Sequence, residues 1–417
     1  MQRRTRILAL VGTVIGLVLV LLLVLPLLFR DRIAQRIKTE VNRSLDARVD
    51  WRDAGLSFFR DFPNLTLTLD DLTAAGVGRF QRDTLASVHH LGVVLDVASV
   101  LGNVLGGRPI VVRAVKLDQP RLSLIALEDG TANWDIAKKT PETATRAKAS
   151  KPVAVSLRQF EITDAAVRFD NRRAKLKASM RGFTQSLSGD FSQDLVTIRT
   201  KADADTVSVS FAGIPYLNRV ALGLTADLQA DLSRKVYALK DTELRLNDLR
   251  LVLGGRVEGK DGKDGKVGKV LAIDLAFKAP STKFLSILSL VPAVYAHDFG
   301  KVKTAGTFAV NGRVKGEYGD SAFPSFAVNA KVDNAAFQYP DLPLPARDIN
   351  MDLSIANPGG SADSTMVRLH RFHLVIGRNP VDATMVLRTP VSDPDVDARV
   401  RGKVDLADVR RTLKLEG

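Results

Sequence analysis

The chain has 417 residues, 45% hydrophobic and 25% charged, a composition that folds and that excludes a wholly disordered chain. It has no cysteine, so disulfides and cysteine-built zinc sites are excluded. The formal charge of +14 favours anionic partners without choosing between nucleic acid and anionic lipid.

After Arg3, Arg4 and Arg6, 23 residues pass without a charge, from Ile7 to Phe29. At about 1.5 Å per residue that length crosses a bilayer core of roughly 30 Å. A cleaved signal has an apolar core of only about 7–15 residues and a small-residue cleavage site. Residues 1–30 are therefore expected to form an uncleaved transmembrane anchor. Arg30, Arg32, Arg36 and Lys38 balance the basic residues before the span, so loop charge does not set its orientation. Next, Ile33, Ile37, Val41 and Leu45 recur every four residues, which predicts an amphipathic juxtamembrane helix over residues 31–46. That helix either packs on the first strands or lies at the membrane surface as a lid or guide.

From about Val49 the period changes to two. Leu65, Leu67 and Leu69 alternate with Thr66, Thr68 and Asp70, and Leu249, Leu251 and Leu253 repeat the device. Leu271, Ile273, Leu275 and Phe277 do the same, as do Phe326, Val328, Ala330 and Val332. Such runs predict strands with one apolar face. Between them stand turn residues: Gly76 and Gly78, Gly106-Gly107, Asp129-Gly130, Gly254-Gly255, Asn357-Pro358-Gly359-Gly360 and Asp393-Pro394. The expected fold is mainly β, a long antiparallel sheet with few helices. The best helix pattern runs from Thr282 to Tyr295 (Phe284, Leu285, Leu288, Val291), with a weaker one from Tyr216 to Leu224. Ala86 to Leu105 fits either state, and no βαβ alternation appears. Lys138 to Pro152 lacks apolar periodicity and reads as a linker or loop between a β-rich unit, residues 47–137, and an extended body, residues 153–417. Lys260 to Lys269 reads as a charged hairpin loop.

One-faced strands must cover that face. With few helices available, the covers are a second sheet, a sheet curled on itself, or lipid chains lying on part of the face. Aromatic residues make up only 6%, and an aliphatic surface suits flexible acyl chains as well as it suits a dry core.

No catalytic, metal or cofactor constellation stands out. His370 and His373 are three apart in a strand pattern, which places them on opposite faces, and His89 and His90 are adjacent. Gly254 to Lys260 resembles a phosphate loop, but Asp261 stands where Ser or Thr is required. Gly76-Val77-Gly78 lacks the third glycine of a dinucleotide loop, and the basic residues lack interleaved aromatics, so nucleic acid is not an expected partner.

Three sets of segments together resemble the AsmA family of bacterial envelope proteins. The first is Phe58-Phe59-Arg60-Asp61-Phe62-Pro63-Asn64-Leu65 with its strand to Leu69, then Pro120 and Asp129-Gly130-Thr131-Ala132-Asn133-Trp134-Asp135. The second is Gly213-Ile214-Pro215-Tyr216-Leu217. The third runs from Gly312-Arg313-Val314-Lys315-Gly316 through Tyr339-Pro340-Asp341-Leu342-Pro343 and Asn379-Pro380-Val381 to Gly402-Lys403-Val404-Asp405-Leu406. The resemblance implies an inner-membrane anchor with the β body in the periplasm. It also implies a curled, groove-forming sheet similar to those of bridge-like lipid transfer proteins, along which phospholipid moves between inner and outer membranes. Family members are often longer, and a groove of this length is expected not to cross the periplasm alone. The family is linked as well to outer-membrane protein assembly.

The expectation is a non-enzymatic lipid-handling protein without a cofactor. Its groove candidates are Leu65, Leu67, Leu69, Leu271, Ile273, Leu275 and Phe277, and its membrane-proximal helix carries Ile33, Ile37, Val41 and Leu45. The alternative is a scaffold or assembly factor that binds envelope proteins through sheet edges.

Overall fold

The computed structural model describes residues 35–405 apart from 36–37, 40, 59, 107–109, 137, 139–152, 192, 261–269, 289, 291–301, 320–321, 339–343 and 404. The expected membrane span, Ile33, Ile37 and most of the expected linker lie outside the described residues. Among the described residues no helix is long and apolar enough to cross a membrane. Among the described residues, nineteen strands and a few short helices make the fold mainly β, as the period-two runs predict. The chain divides into two units, one of residues up to Ser192 with Val209–Ile214, the other of Gln193–Ser208 with Pro215–Gly417.

In the first unit, β1 (Arg48–Asp50) and β2 (Asp53–Ser57) lie one after the other against β3 (Leu65–Ala75). β3 pairs antiparallel with β4 (Thr84–Leu95). The stretch that fits either period is strand first and then helix, since β4 runs into α1 (Val97–Gly106). Asp96 starts that helix: its Oδ1 accepts the Ser99 amide at 2.8 Å, and its Oδ2 takes Arg113 Nη2 at 2.7 Å.

β5 (Ile110–Asp118) and β6 (Arg121–Ala126) follow one line, broken at Gln119, whose φ is +49°, and at Pro120. Both run parallel to β7 (Val153–Asn171), and β7 pairs antiparallel with β8 (Leu176–Ser188). The pairing is therefore mixed, which corrects the expectation of an antiparallel sheet. Parallel neighbours need a crossover of a dozen or more residues, and the stretch from Leu127 to Pro152 supplies that length without any helical period to announce it.

The second unit holds most of β9 (Leu195–Phe211) and β10 (Ile214–Asp231). It continues with β11 (Val236–Leu246), β12 (Leu249–Lys260) and β13 (Val270–Lys283), then α2 (Phe284–Leu288). β14 (Lys303–Tyr318), β15 (Ser325–Gln338) and β16 (Ala346–Asn357) follow, then β17 (Met366–Ile376), β18 (Asn379–Arg388) and β19 (Asp395–Gly402). From β10 onward each strand is antiparallel to the next.

Two sequence readings are corrected here. Tyr216 to Leu224 is strand, because Val220, Leu222 and Leu224 alternate and join β10. Gly254-Gly255 is no turn but the interior of β12. A Cβ on Gly255 would lie 2.1 Å from the Asp274 carbonyl oxygen, so glycine lets the backbone of β13 approach. The helix expected from Thr282 is described only over Phe284–Leu288, with Thr282 and Lys283 still in β13.

The core of this unit sits at one end of the sheet. Phe284, Phe308, Val332, Ala335, Ala346 and Ile349 are buried together with Leu249 and Ala279, and Ile287 and Leu288 of α2 pack on them. Register shifts fall on β13 at Ala279–Thr282, β14 at Ala305–Thr307, β15 at Val332–Ala335 and β16 at Arg347–Asn350. An extra residue bends the strand that carries it. The extra residues lie on β13, β15 and β16, and they bend the sheet at the place where α2 packs on it.

Candidate apolar face and its supports

Strand register builds a lane from side chains far apart in sequence. Leu253 pairs with Phe277, Phe277 with Gly312, and Gly312 with Val328. The lane goes on through Ile355, Val367 and Leu387 to Val396. A second lane links Val310, Ala330, Leu353, Leu369, Met385 and Ala398. A third joins Leu275, Val314 and Phe326. Directly paired residues share a face, as do residues two apart. Leu271, Ile273, Leu275 and Phe277 therefore lie on this one face. The opposite face is polar, with Lys278, Asn311, Asn329, Ser354 and Arg368 in register. There Asp274 takes two hydrogen bonds from Arg313 (2.9 and 2.8 Å), and Lys260 donates to Glu317 at 2.8 Å, which raises the lysine's pKa.

Burial separates the covered part of the apolar face from the rest. Among the described residues of β11–β19 and α2, every fully buried apolar side chain belongs to the cluster at α2. Beyond it, Leu253, Ile273, Leu275, Phe277, Val314, Phe326, Val328, Ile355, Val367 and Leu387 are only half-buried, and Leu271 is 36% exposed. From Leu271 to Phe277 this stretch runs about 20 Å along the strand, and β12 to β19 span roughly 34 Å of sheet. Gly312 leaves room in the first lane, since a Cβ there would meet the Phe277 ring at 2.5 Å. An aliphatic surface of this kind, solvated charges behind it, can shield hydrocarbon from water.

The first unit carries an apolar face of its own. Leu67, Val93, Val115 and Phe160 are in register, as are Leu69, Leu91, Leu117 and Ile162. Leu65 pairs with Leu95. Leu65 and Leu67 are half-buried and Leu69 is buried.

The segments that resemble the family act as supports. In the first, Phe58 is buried with its ring edge-on to Phe62, 5.3 Å between centroids. Asp61 accepts the buried Thr66 hydroxyl at 2.6 Å and faces Lys116 at 3.4 Å; Thr66 first, then Lys116, hold its carboxyl below the usual range. Arg60, Asp61, Thr66, His90, Lys116 and Asp118 line a hollow of about 260 Å³ beside this loop. In the turn Asp129-Gly130-Thr131, the Thr131 amide (2.9 Å) and then Arg79 hold the Asp129 carboxyl at about 2, against 3.8 ordinarily. A carboxylate with a depressed value stabilises fully above its ordinary pKa and loses that contribution as pH falls through the depressed one. Protection of the Thr131 amide is thus expected to decline between pH 4 and pH 2, and in Asp129→Asn to be lower and flat over that range. A flat profile in the unaltered chain would refute the assignment.

Among the expected juxtamembrane residues, Val41 and Leu45 are described and half-buried, and residues 41–44 are helical. The Asn42 amide both accepts from Val49 N and donates to Val49 O, each at 2.8 Å. Lys38 pairs with Asp50 and lies 5.4 Å from the Trp51 ring centroid. From the other side, Lys138 donates to the Asn42 and Arg43 carbonyls at 3.3 and 3.2 Å. This helical turn is bonded to the first strands.

His370 and His373 are not on opposite faces. A bulge between Leu369 and Phe372 shifts the alternation by one, so His370 meets Ser354 at 2.8 Å and His373 meets Asp382 at 2.8 Å on the polar face. No group of three metal-ligating side chains occurs among the described residues.

The sequence matches the AsmA family over residues 1–252, more than half of the 417. No curated protein matches it, and no solved structure does. The chain therefore belongs to the AsmA family.

Proposed function

We propose that the chain is a membrane-anchored lipid-handling protein of the bacterial envelope with no catalytic step of its own. Residues 7–29 hold it in the inner membrane, and the β body lies in the periplasm. Acyl chains of phospholipid rest on the apolar faces, above all on β12–β19, and move along them between the inner and outer membranes in support of outer-membrane biogenesis. The observation that carries this reading is the lane from Leu253 to Leu387, apolar on seven adjacent strands apart from Gly312 and yet only half-buried. A side chain in a closed core would be fully buried, and lipid supplies the missing cover. Membership of the AsmA family is compatible with an envelope role of this kind.

The test is native mass spectrometry and lipid extraction on the full chain purified gently from cells. Co-purifying phospholipid is expected. In the triple variant Ile273→Glu, Leu275→Glu, Val328→Glu it should fall by roughly fiftyfold, the equivalent of about three methylenes losing apolar contact at ~0.8 kcal/mol each. Circular dichroism would establish that the strands persist. A folded, lipid-free wild-type chain would overturn the reading and favour a scaffold for outer-membrane proteins.

A further inference from the structure

Among the described residues β19 is the last strand of the second unit and pairs only with β18. All eight of its residues are exposed, Val396 by 55% and Val400 by 70%. It is firmly placed all the same. Asp363 accepts from the Val391 and Ser392 amides, both at 3.1 Å, and from the Ser392 hydroxyl at 2.5 Å, while Arg388 holds Asp395 at 3.0 Å. An exposed edge of this kind is a template for another strand.

We infer that this edge pairs with a second copy of itself, antiparallel, about a two-fold axis through Ala398. The strand reads Asp395-Val396-Asp397-Ala398-Arg399-Val400-Arg401. Folded back on itself about Ala398, it sets Asp395 opposite Arg401 of the partner subunit and Asp397 opposite Arg399 of the partner subunit. Val396 meets Val400 of the partner subunit, and Ala398 meets its own symmetry mate. Directly opposed side chains are the unit of sheet stabilisation, and opposite charges favour a register that like charges destabilise. Moving the register by two residues sets Asp397 on its own mate in one direction and Arg399 on its own mate in the other. In-register parallel pairing stacks every charge on its like. Only the register centred on Ala398 matches all four charges and both valines. Asp397, Arg399 and Arg401 form no ion pair among the described residues, which leaves them available across the seam. An isologous contact of this kind closes at two copies.

On the apolar side, the lanes Leu387–Val396 and Met385–Ala398 meet their counterparts across the axis. The two apolar faces then join, and the valines left open at the edge are covered. The seam rests on the edge strand alone, whether or not lipid occupies the face.

The chain has no cysteine, so a single one reports the contact. In Ala398→Cys the two sulfurs face each other across the axis. Cα atoms directly opposed in an antiparallel pair are about 4.5–5.5 Å apart, within disulfide reach. Mild oxidation of the full-length variant in detergent should give a species of twice 45.3 kDa, whereas Ala362→Cys on an exposed turn should not. Adding Asp395→Arg with Asp397→Arg, or Arg399→Asp with Arg401→Asp, should cut the yield at least tenfold. Mixing those two charge variants should restore it, because every opposed pair is then unlike. Sedimentation of the unaltered chain gives a readout independent of the cysteine, with a dimer expected. A monomer by sedimentation, equal crosslinking at Ala362→Cys, or crosslinking unmoved by both charge variants would overturn the inference.

Discussion

Phe308→Ala is expected to destabilise the second unit by about 3–5 kcal/mol, the range for a buried phenylalanine truncated to alanine. Phe308 is 5% exposed and lies in register between Thr282 on β13 and Val332 on β15. Phe284 of α2, Ala335 and Ile349 are in the same cluster, and Ala335 is completely buried. Collapse around the missing ring is restricted, because bulges on β13 and β15 fix the backbone on either side of it. A Cβ on Gly306 would already meet the Ala335 Cα at 2.3 Å. The cavity therefore stays open and its cost is retained. Because the chain has two units, amide exchange across β14 and β15 is the measurement, in preference to one unfolding midpoint. Protection there should fall by at least a hundredfold, α2 should exchange freely, and Phe308→Leu should lose far less. A loss under about 1 kcal/mol would mean that the α2 end is not the unit's core.

The same end shows what could be read from sequence. β13 was legible because Leu271, Ile273, Leu275 and Phe277 alternate without interruption, and strands are set by that period. The lane across β12–β19 was not, because register depends on pairing with residues tens of positions away and on turn geometry. Gly312 also hides the alternation of β14 by standing at an apolar position, its side chain surrendered to the Phe277 ring. Bulges mislead further. The extra residue between Leu369 and Phe372 brought His370 and His373 to one face, although a spacing of three assigns them to two. The parallel alignment of β7 left no local mark, since β5, β6 and β7 each carry ordinary strand patterns and only the connection decides their direction.

The supporting residues were legible as a resemblance and opaque as mechanism. Phe58 to Leu65 and Asp129 to Asp135 stood out as segments, but nothing local says that Asp61 reaches Thr66 and Lys116, or that Asn133 reaches strand β6. Those partners depend on how the loops fold back.

Asn133→Leu is expected to cost roughly 2–6 kcal/mol, because it strips two backbone groups of their partners at about 1–3 kcal/mol each while keeping the volume. Asn133 is 3% exposed. Its Oδ1 accepts the Ile125 amide at 2.9 Å and its Nδ2 donates to the Ser123 carbonyl at 2.7 Å, so the side chain does for β6 what a neighbouring strand would do. β6 has β7 on its other side and meets β4 only at Arg121 and Leu122, so no strand stands ready to replace the amide. Asn133→Asp should be damaging too, since a carboxylate keeps the acceptor but sets negative oxygen against the Ser123 carbonyl. The consequences extend beyond β6. The chain after Asn133 stacks Trp134 on Phe169 at 5.8 Å, and the Ile136 carbonyl accepts the Asp46 amide at 2.6 Å. The Lys138 amide then donates to the Ser44 carbonyl at 3.3 Å. Loosening this loop should therefore free the helical turn at residues 41–44, in the segment that follows the apolar run. Exchange of the Ile125 amide should speed by about two orders of magnitude in Asn133→Leu, and exchange around Asp46 should rise with it. Unchanged Ile125 protection would mean that β6 is held by β7 alone.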